Sequence, residues 1–178
     1  LYEMKIAFNE NNGLFQLVNA PKPKKLFNDS YAFISSTSHS MKIHFKKIAY
    51  NIKKMMKKNS KIMEIGCNDG IFLQNFRNFE HLGIEPAKNV YNISRSKKLK
   101  VLNSFFTEEL IDQKKLNNKF DFIFAANVIC HIPNMLALFK CIEKSLKQDG
   151  LFIFEEPYLG AMLEKTSYDQ IYDEHFYM

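Results

Sequence analysis

The stretch Glu64-Ile-Gly66-Cys-Asn68-Asp69-Gly70 carries the clearest chemical signal in the chain. Gly66 and Gly70 let a backbone approach a ligand closely. An apolar run over 61–65 enters the turn and a helical pattern leaves it, so the helix offers free N–H groups at its amino end. A dinucleotide site spaces its glycines G-x-G-x-x-G around a pyrophosphate. Here the spacing is G-x-x-x-G, with carboxylates at Glu64 and Asp69 and an amide at Asn68. Acidic groups repel a pyrophosphate and suit a ligand with an ammonium and a sulfonium. The pattern therefore favours S-adenosylmethionine over NAD, against the plainer reading of an ordinary strand-to-helix turn.

Four further stretches could complete a site. Gly83-Ile-Glu85-Pro86 places a carboxylate at the end of a second strand, where it would accept both ribose hydroxyls. Taken alone, Glu85 could equally face a helix dipole. Asn103-Ser-Phe105-Phe106 follows a third strand, where an adenine would be edged and stacked, although either phenylalanine could simply be core. Asn127 to Pro133 ends a fourth strand. It adds Asn127 to the cofactor set and points His131 towards donor or acceptor, unless His131 is a hydrogen-bonded structural residue. Finally, Tyr172, Glu174 and His175 follow a fifth strand and offer a phenol, an orienting carboxylate and a base. A polar helix start is the alternative there.

Positioning these groups takes a parallel sheet with crossover helices, because short apolar strands alternate with helical stretches. The expected strands are 61–65, 81–84, 100–102, 120–125 and 151–155. The expected helices are 41–58, 72–79, 87–97, 108–114 and 134–147, with 147–150 turning into the last strand. The helix over 41–58 follows the polar cluster Ser35 to Ser38 and would bury Ile43, Ile48, Tyr50, Ile52 and Met55. Right-handed crossovers and a ligand turn after the first strand predict an α/β, Rossmann-like sheet of order 3-2-1-4-5. The first thirty residues read as aperiodic, with a turn at Asn11-Asn12-Gly13 and a break at Pro21-Lys-Pro23. The organisation expected is an amino-terminal, substrate-side extension over 1–40, a cofactor-binding domain over 41–160 and a catalytic segment beginning at 161–178.

Composition sets the outer limits. At 178 residues, 46% hydrophobic and 14% aromatic, the chain holds enough material for one packed domain. The net charge of +6 comes from lysines, with Arg77 and Arg95 the two arginines. Scattered lysines read as solvated faces rather than a nucleic-acid stripe, and they would attract a phosphate-bearing substrate. Cys67, Cys130 and Cys141 lie far apart and form no CxxC pair, so neither a disulfide framework nor a zinc site is readable, and reduced, cytoplasmic thiols are the simplest account. No apolar run reaches membrane-spanning length.

From about Leu26 to Met178 the chain resembles the sugar C-methyltransferases, enzymes that methylate a carbon of nucleotide-linked deoxysugars. The likeness rests on Tyr31 to Ser38 with His44, the Glu64–Gly70 turn, Gly83 to Pro86, Asn127 to Pro133, and Glu156 to Gly160 through Tyr168 to Phe176. It implies a class I methyltransferase fold, S-adenosylmethionine as cofactor, and active-site residues at His131, Tyr172, Glu174, His175 and Tyr31. It implies the chemistry too: a base, His175, removes a proton beside a ketone, Tyr172 or His131 stabilises the enolate oxygen, and the carbon takes the methyl group in line, with no metal required. Members carry an amino-terminal four-cysteine zinc module, two further sheet strands and a carboxyl-terminal domain. None of these is legible here, so the chain reads as a fragment. An O- or N-methyltransferase, or a non-catalytic cofactor-binding remnant, are the other readings.

Overall fold

The computed structural model describes every residue except 1, 2, 4, 20, 168–170, 172, 173 and 178. The opening expected to be aperiodic contains a hairpin, β1 (Ile6–Asn9) and β2 (Leu14–Leu17), with Phe8 opposite Phe15. Four residues per strand are too few for alternation to stand out in sequence. Its turn lies at Asn11-Asn12-Gly13 as expected, with Gly13 at a φ of 69° and Asn12 Oδ1 accepting from Leu14 N. The break at Pro21-Lys-Pro23 opens a short helix, α1 (Pro23–Leu26), where proline stands at the first turn and needs no N–H partner.

Helix α2 (His39–Met55) starts where the polar cluster predicts, and Ser38 Oγ accepts from Met41 N. Such a cap contributes about 1 kcal/mol. Its buried face differs from the expected one: Phe45, Ala49 and Ile52 go inward at i, i+4, i+7, while Ile43, Tyr50 and Met55 stay exposed. Phe45 decides the rotation by packing edge-on to Phe72 and Phe124.

Five parallel strands follow: β3 (Lys61–Ile65), β4 (Glu80–Ile84), β5 (Val101–Leu102), β6 (Phe120–Ala126) and β7 (Leu146–Glu155), in the order β5-β4-β3-β6-β7. This is the 3-2-1-4-5 order expected of the doubly wound fold. Side chains alternate across the sheet. Met63, Ile65 and Ile123 join Ile111, Leu138 and Ile142 on one face. Ile62, Phe122 and Phe124 join α2 and Phe72 on the other. Helices α3 (Lys88–Ser96), α4 (Glu108–Lys114) and α5 (Met135–Ser145) form the crossovers, and α6 (Leu159–Glu164) follows β7.

Two further elements depart from expectation. The helix predicted over 72–79 is a single 3-10 turn, Leu73–Phe76. Asn75 Nδ2 donates to the carbonyls of Ile71 and Phe72, and Gln74 Nε2 to that of Ile71, so side chains compete for acceptors that an α-helix needs. The turn predicted at 147–150 is instead the irregular start of β7, where Leu146 pairs with Phe120. Lys147 Nζ reaches both Asp121 oxygens at 2.9 Å and holds that start against β6.

The chain leaves β3 towards β4 and β5, then returns to lay β6 on β3's other side. Ligands of open α/β sheets bind at that reversal, outside the carboxyl ends of the strands. Among the described residues no helix is long and apolar enough to cross a membrane, and all three cysteines are free and buried.

Candidate active site

The turn after β3 is built from three left-handed positions, Gly66 at φ 65°, Asn68 at φ 48° and Gly70 at φ 80°. A Cβ on Gly66 would meet Val128 Cγ2 at 2.5 Å, and one on Gly70 would collide with Leu99. Asn68 tolerates its φ because its short amide bonds locally. Its Oδ1 accepts from Ser35 N at 3.1 Å and Asp69 N at 2.9 Å, and its Nδ2 donates to Phe33 O at 3.0 Å. Asn68 thus ties the amino-terminal extension over the turn, a role sequence reasoning missed because both partners are backbone atoms. Replacing Asn68 by glycine keeps the turn and removes the tie. Limited proteolysis should then cut residues 31–38 faster, with little change in global stability.

Three buried carboxylates surround the turn. Glu85 directly follows β4, and its Oε2 and Oε1 accept from Asn68 N and Ala87 N, each at 2.8 Å. Glu64 is buried at the end of β3. Asp69 binds Lys97 Nζ at 2.8 Å through Oδ2. Burial raises the Glu85 carboxyl to about 7, against the opposing N–H groups of Ala87 and Asn68. Burial, then the charge of Glu85, holds Glu64 well above the usual carboxylate range. Of the two aromatic candidates after β5, Phe106 packs on the core. Phe105 lines an open cavity of about 700 Å³ with Lys24, Phe27 and Asn28. Asn103 Nδ2 holds the carbonyls of Glu85 and Pro86.

The second half of the site lies beyond β6. Asn127 takes a left-handed φ of 53°, and its N–H donates to Glu155 O at 2.7 Å. The chain then turns through Ile129–His131. Glu156 makes this turn possible: its carboxylate accepts from Val128 N, Ile129 N and Cys130 N at 2.8, 2.7 and 3.2 Å. Sequence reading placed Glu156 in a motif without giving it a task. Changing Glu156 to alanine leaves three donors unmet and is expected to destabilise the fold by about 2–4 kcal/mol, measured by urea denaturation.

His131 Nδ1 lies 2.7 Å from Glu174 O. A carbonyl only accepts, so Nδ1 donates, and neutral His131 carries its lone pair on Nε2. The rings of His131 and His175 are 4.9 Å apart. Tyr31 OH donates to Glu174 Oε2 at 3.2 Å, and Phe27 packs edge-on to His131. Phe27 also walls the cavity of Phe105. Phe176 N bonds to Cys130 O at 2.7 Å, and Leu17 N to Phe176 O at 3.0 Å, stapling the segment between the turn and β2. Four predicted residues from three distant stretches, Tyr31, His131, Glu174 and His175, are thus brought together. Tyr172 lies outside the described residues.

A family model described as a methyltransferase domain matches residues 40–178. The chain belongs to that family. Over 99% of its length it is 24% identical to the C-methyltransferase NovU of Streptomyces niveus, of which it covers 43%. It is 28% identical over 70% of its length to a tRNA U34 carboxymethyltransferase of Campylobacter lari, covering 47% of that protein. The chain therefore spans about half the length of these relatives. A SAM-dependent methyltransferase from Archaeoglobus fulgidus shares the fold at a TM-score of 0.59 and 17% identity, over 74% of this chain and 61% of that one.

S-adenosylmethionine is the cofactor this methyltransferase family implies, and the residues around the turn fit it. Glu64 Oε2 and Asp69 Oδ1 are buried acceptors with no hydrogen-bond partner, an arrangement that calls for a donor, such as an ammonium. Each Glu85 oxygen accepts one backbone N–H and keeps a second lone pair, enough for two ribose hydroxyls. The left-handed turn needs glycine at 66 and 70 because Val128 and Leu99 fill the space a side chain would take.

Proposed function

We propose that the protein carrying this chain methylates a carbon next to a ketone, on a nucleotide-linked deoxysugar. The observation that carries the proposal is the convergence of Tyr31, His131, Glu174 and His175 beside the cavity walled by Phe27 and Phe105. The 24% identity to a protein named as a C-methyltransferase supports it. Carbon methylation needs a base, which O- or N-methylation of a good nucleophile does not. A buried histidine beside a second histidine and a carboxylate supplies one.

In this reading His175 takes the proton from the carbon and the electron pair spreads onto the ketone oxygen. A phenol, that of Tyr172, meets the developing charge there. Neutral His131 presents a lone pair at Nε2, so it stabilises that oxygen only when protonated. Glu174 fixes the His131 tautomer with its carbonyl and orients Tyr31 with its carboxylate. Glu64, Asp69 and Glu85 hold the cofactor, which when bound supplies an electrophilic methyl group. Aligning the two reactants is the fold's main contribution.

The test is the product. Incubation of the full-length protein with S-adenosylmethionine and a nucleotide-linked keto-deoxysugar should give a methyl group bonded to ring carbon, read by mass spectrometry and carbon NMR. A methyl on oxygen or nitrogen overturns the reading.

A further inference from the structure

The cluster that would serve as base also has the donor set of a soft metal site. Cys130, His131 and His175 each bring one ligand atom to within 4.8 Å of the others. We infer that these three residues form a zinc site, and that zinc bound there holds the histidine pair in an inhibited state. The inhibition rests on the function proposed above; the binding does not.

Sulfur and two imidazole nitrogens are the ligands zinc takes, at about 2.3 Å and 2.0–2.1 Å, whereas magnesium and calcium prefer oxygen. Tetrahedral zinc sets its ligand atoms about 3.3–3.7 Å apart on those bond lengths, so the trio closes by side-chain rotation. Two features make it more than a coincidence of neighbours. First, His131 Nδ1 already donates to Glu174 O at 2.7 Å. That outer bond to a carbonyl is the one metal-ligating histidines make, and it aims the Nε2 lone pair. Second, the backbone fixes the partners: Cys130 O accepts from Phe176 N, the residue after His175.

Carboxylates lie beside the trio, Glu156 on the N–H of Cys130 and Glu174 on the Tyr31 hydroxyl, and their negative charge favours a divalent cation there. Binding replaces the thiol proton, which leaves to solvent, and forms one Zn–S and two Zn–N bonds. The lone pairs the base needs are then on the metal.

Cobalt(II) reports such a site by colour. Titrating the 178-residue chain with Co²⁺ should saturate at one equivalent, with a sulfur-to-cobalt charge-transfer band in the near ultraviolet and tetrahedral bands in the visible. Zinc should bleach them. Cys130→Ser should abolish the charge-transfer band, and His131→Gln and His175→Gln should each weaken binding at least tenfold. A band that survives Cys130→Ser places the metal at Cys67 or Cys141 and overturns the site, as does the absence of any band. X-ray absorption of the wild-type zinc complex reads the same point without a variant: one sulfur and two imidazoles are expected, and an all-oxygen shell refutes the site. Zinc should also stop exchange of the proton beside the ketone, with recovery on chelation. Exchange that persists in the loaded chain overturns the inhibition. A metal-free protein that never exchanges refutes the proposed reaction instead, and the spectra still decide the site.

Discussion

Exchange of the substrate proton for deuterium should fall by about 10²–10⁴-fold when His175 becomes glutamine, the range a positioned general base supplies. Exchange at the carbon beside the ketone needs the base but no methyl donor, so it isolates proton removal from methyl transfer. His175 is the right group by placement: it is buried, its ring stands 4.9 Å from that of His131, and backbone bonds on both sides of Phe176 fix its segment. Histidine as a residue type takes up and releases protons near neutrality. Glutamine keeps the size and polarity of the side chain and removes the titrating nitrogen. The variant should bind S-adenosylmethionine as the wild type does, because the acceptors proposed for the cofactor are Glu64, Asp69 and Glu85. Exchange at the parent rate in a variant that still binds the cofactor would remove His175 as the base and put His131 or Tyr172 in its place.

The half of this site proposed for the cofactor was more legible in sequence than the half proposed for the acceptor, for a physical reason. Gly66, Gly70 and Glu85 act through the chain's local path: a left-handed turn, a close approach, a carboxylate at a strand end. Spacing alone displays such features, and the sheet order follows from them. The contacts of Glu156 and Asn68 are different. Glu156 takes three N–H groups from residues 26 to 28 positions away, and Asn68 binds backbone at 33 and 35. A backbone partner leaves no mark in residue types. The same holds for β1 and β2, whose length hides their alternation, and for α2, where Phe45 turned the buried face. The 3-10 turn at Leu73–Phe76 was read as a helix although Asn75 is a residue type whose side chain competes with the helix backbone.

Glu85 should make the cofactor-free chain less stable as pH rises. Burial pushes its carboxyl up to about 7 in the fold, from an ordinary 4.5. Between those values the folded chain holds a proton that the unfolded chain has released, so each step up in pH disfavours folding. The stabilisation is complete below the lower value and gone above the higher one. A separation of that size corresponds to about 3 kcal/mol. Urea denaturation from pH 4.5 to 7.5 should therefore show a declining stability that flattens in Glu85→Gln by about that amount. The difference includes the part of Glu64's shift that Glu85 causes, because the two carboxyls interact. Cofactor binding should move the other way. Ribose hydroxyls donate to the ionised carboxylate, which they favour, so S-adenosylmethionine affinity should strengthen as pH climbs through about 7 in the wild type and stay level in Glu85→Gln. Truncation to alanine should weaken binding by about 1–3 kcal/mol, since it leaves Asn68 N, Ala87 N and the hydroxyls without their acceptor. Calorimetry decides this: a wild-type affinity constant across pH 6–8, together with an unchanged affinity in Glu85→Ala, would take Glu85 out of the cofactor site.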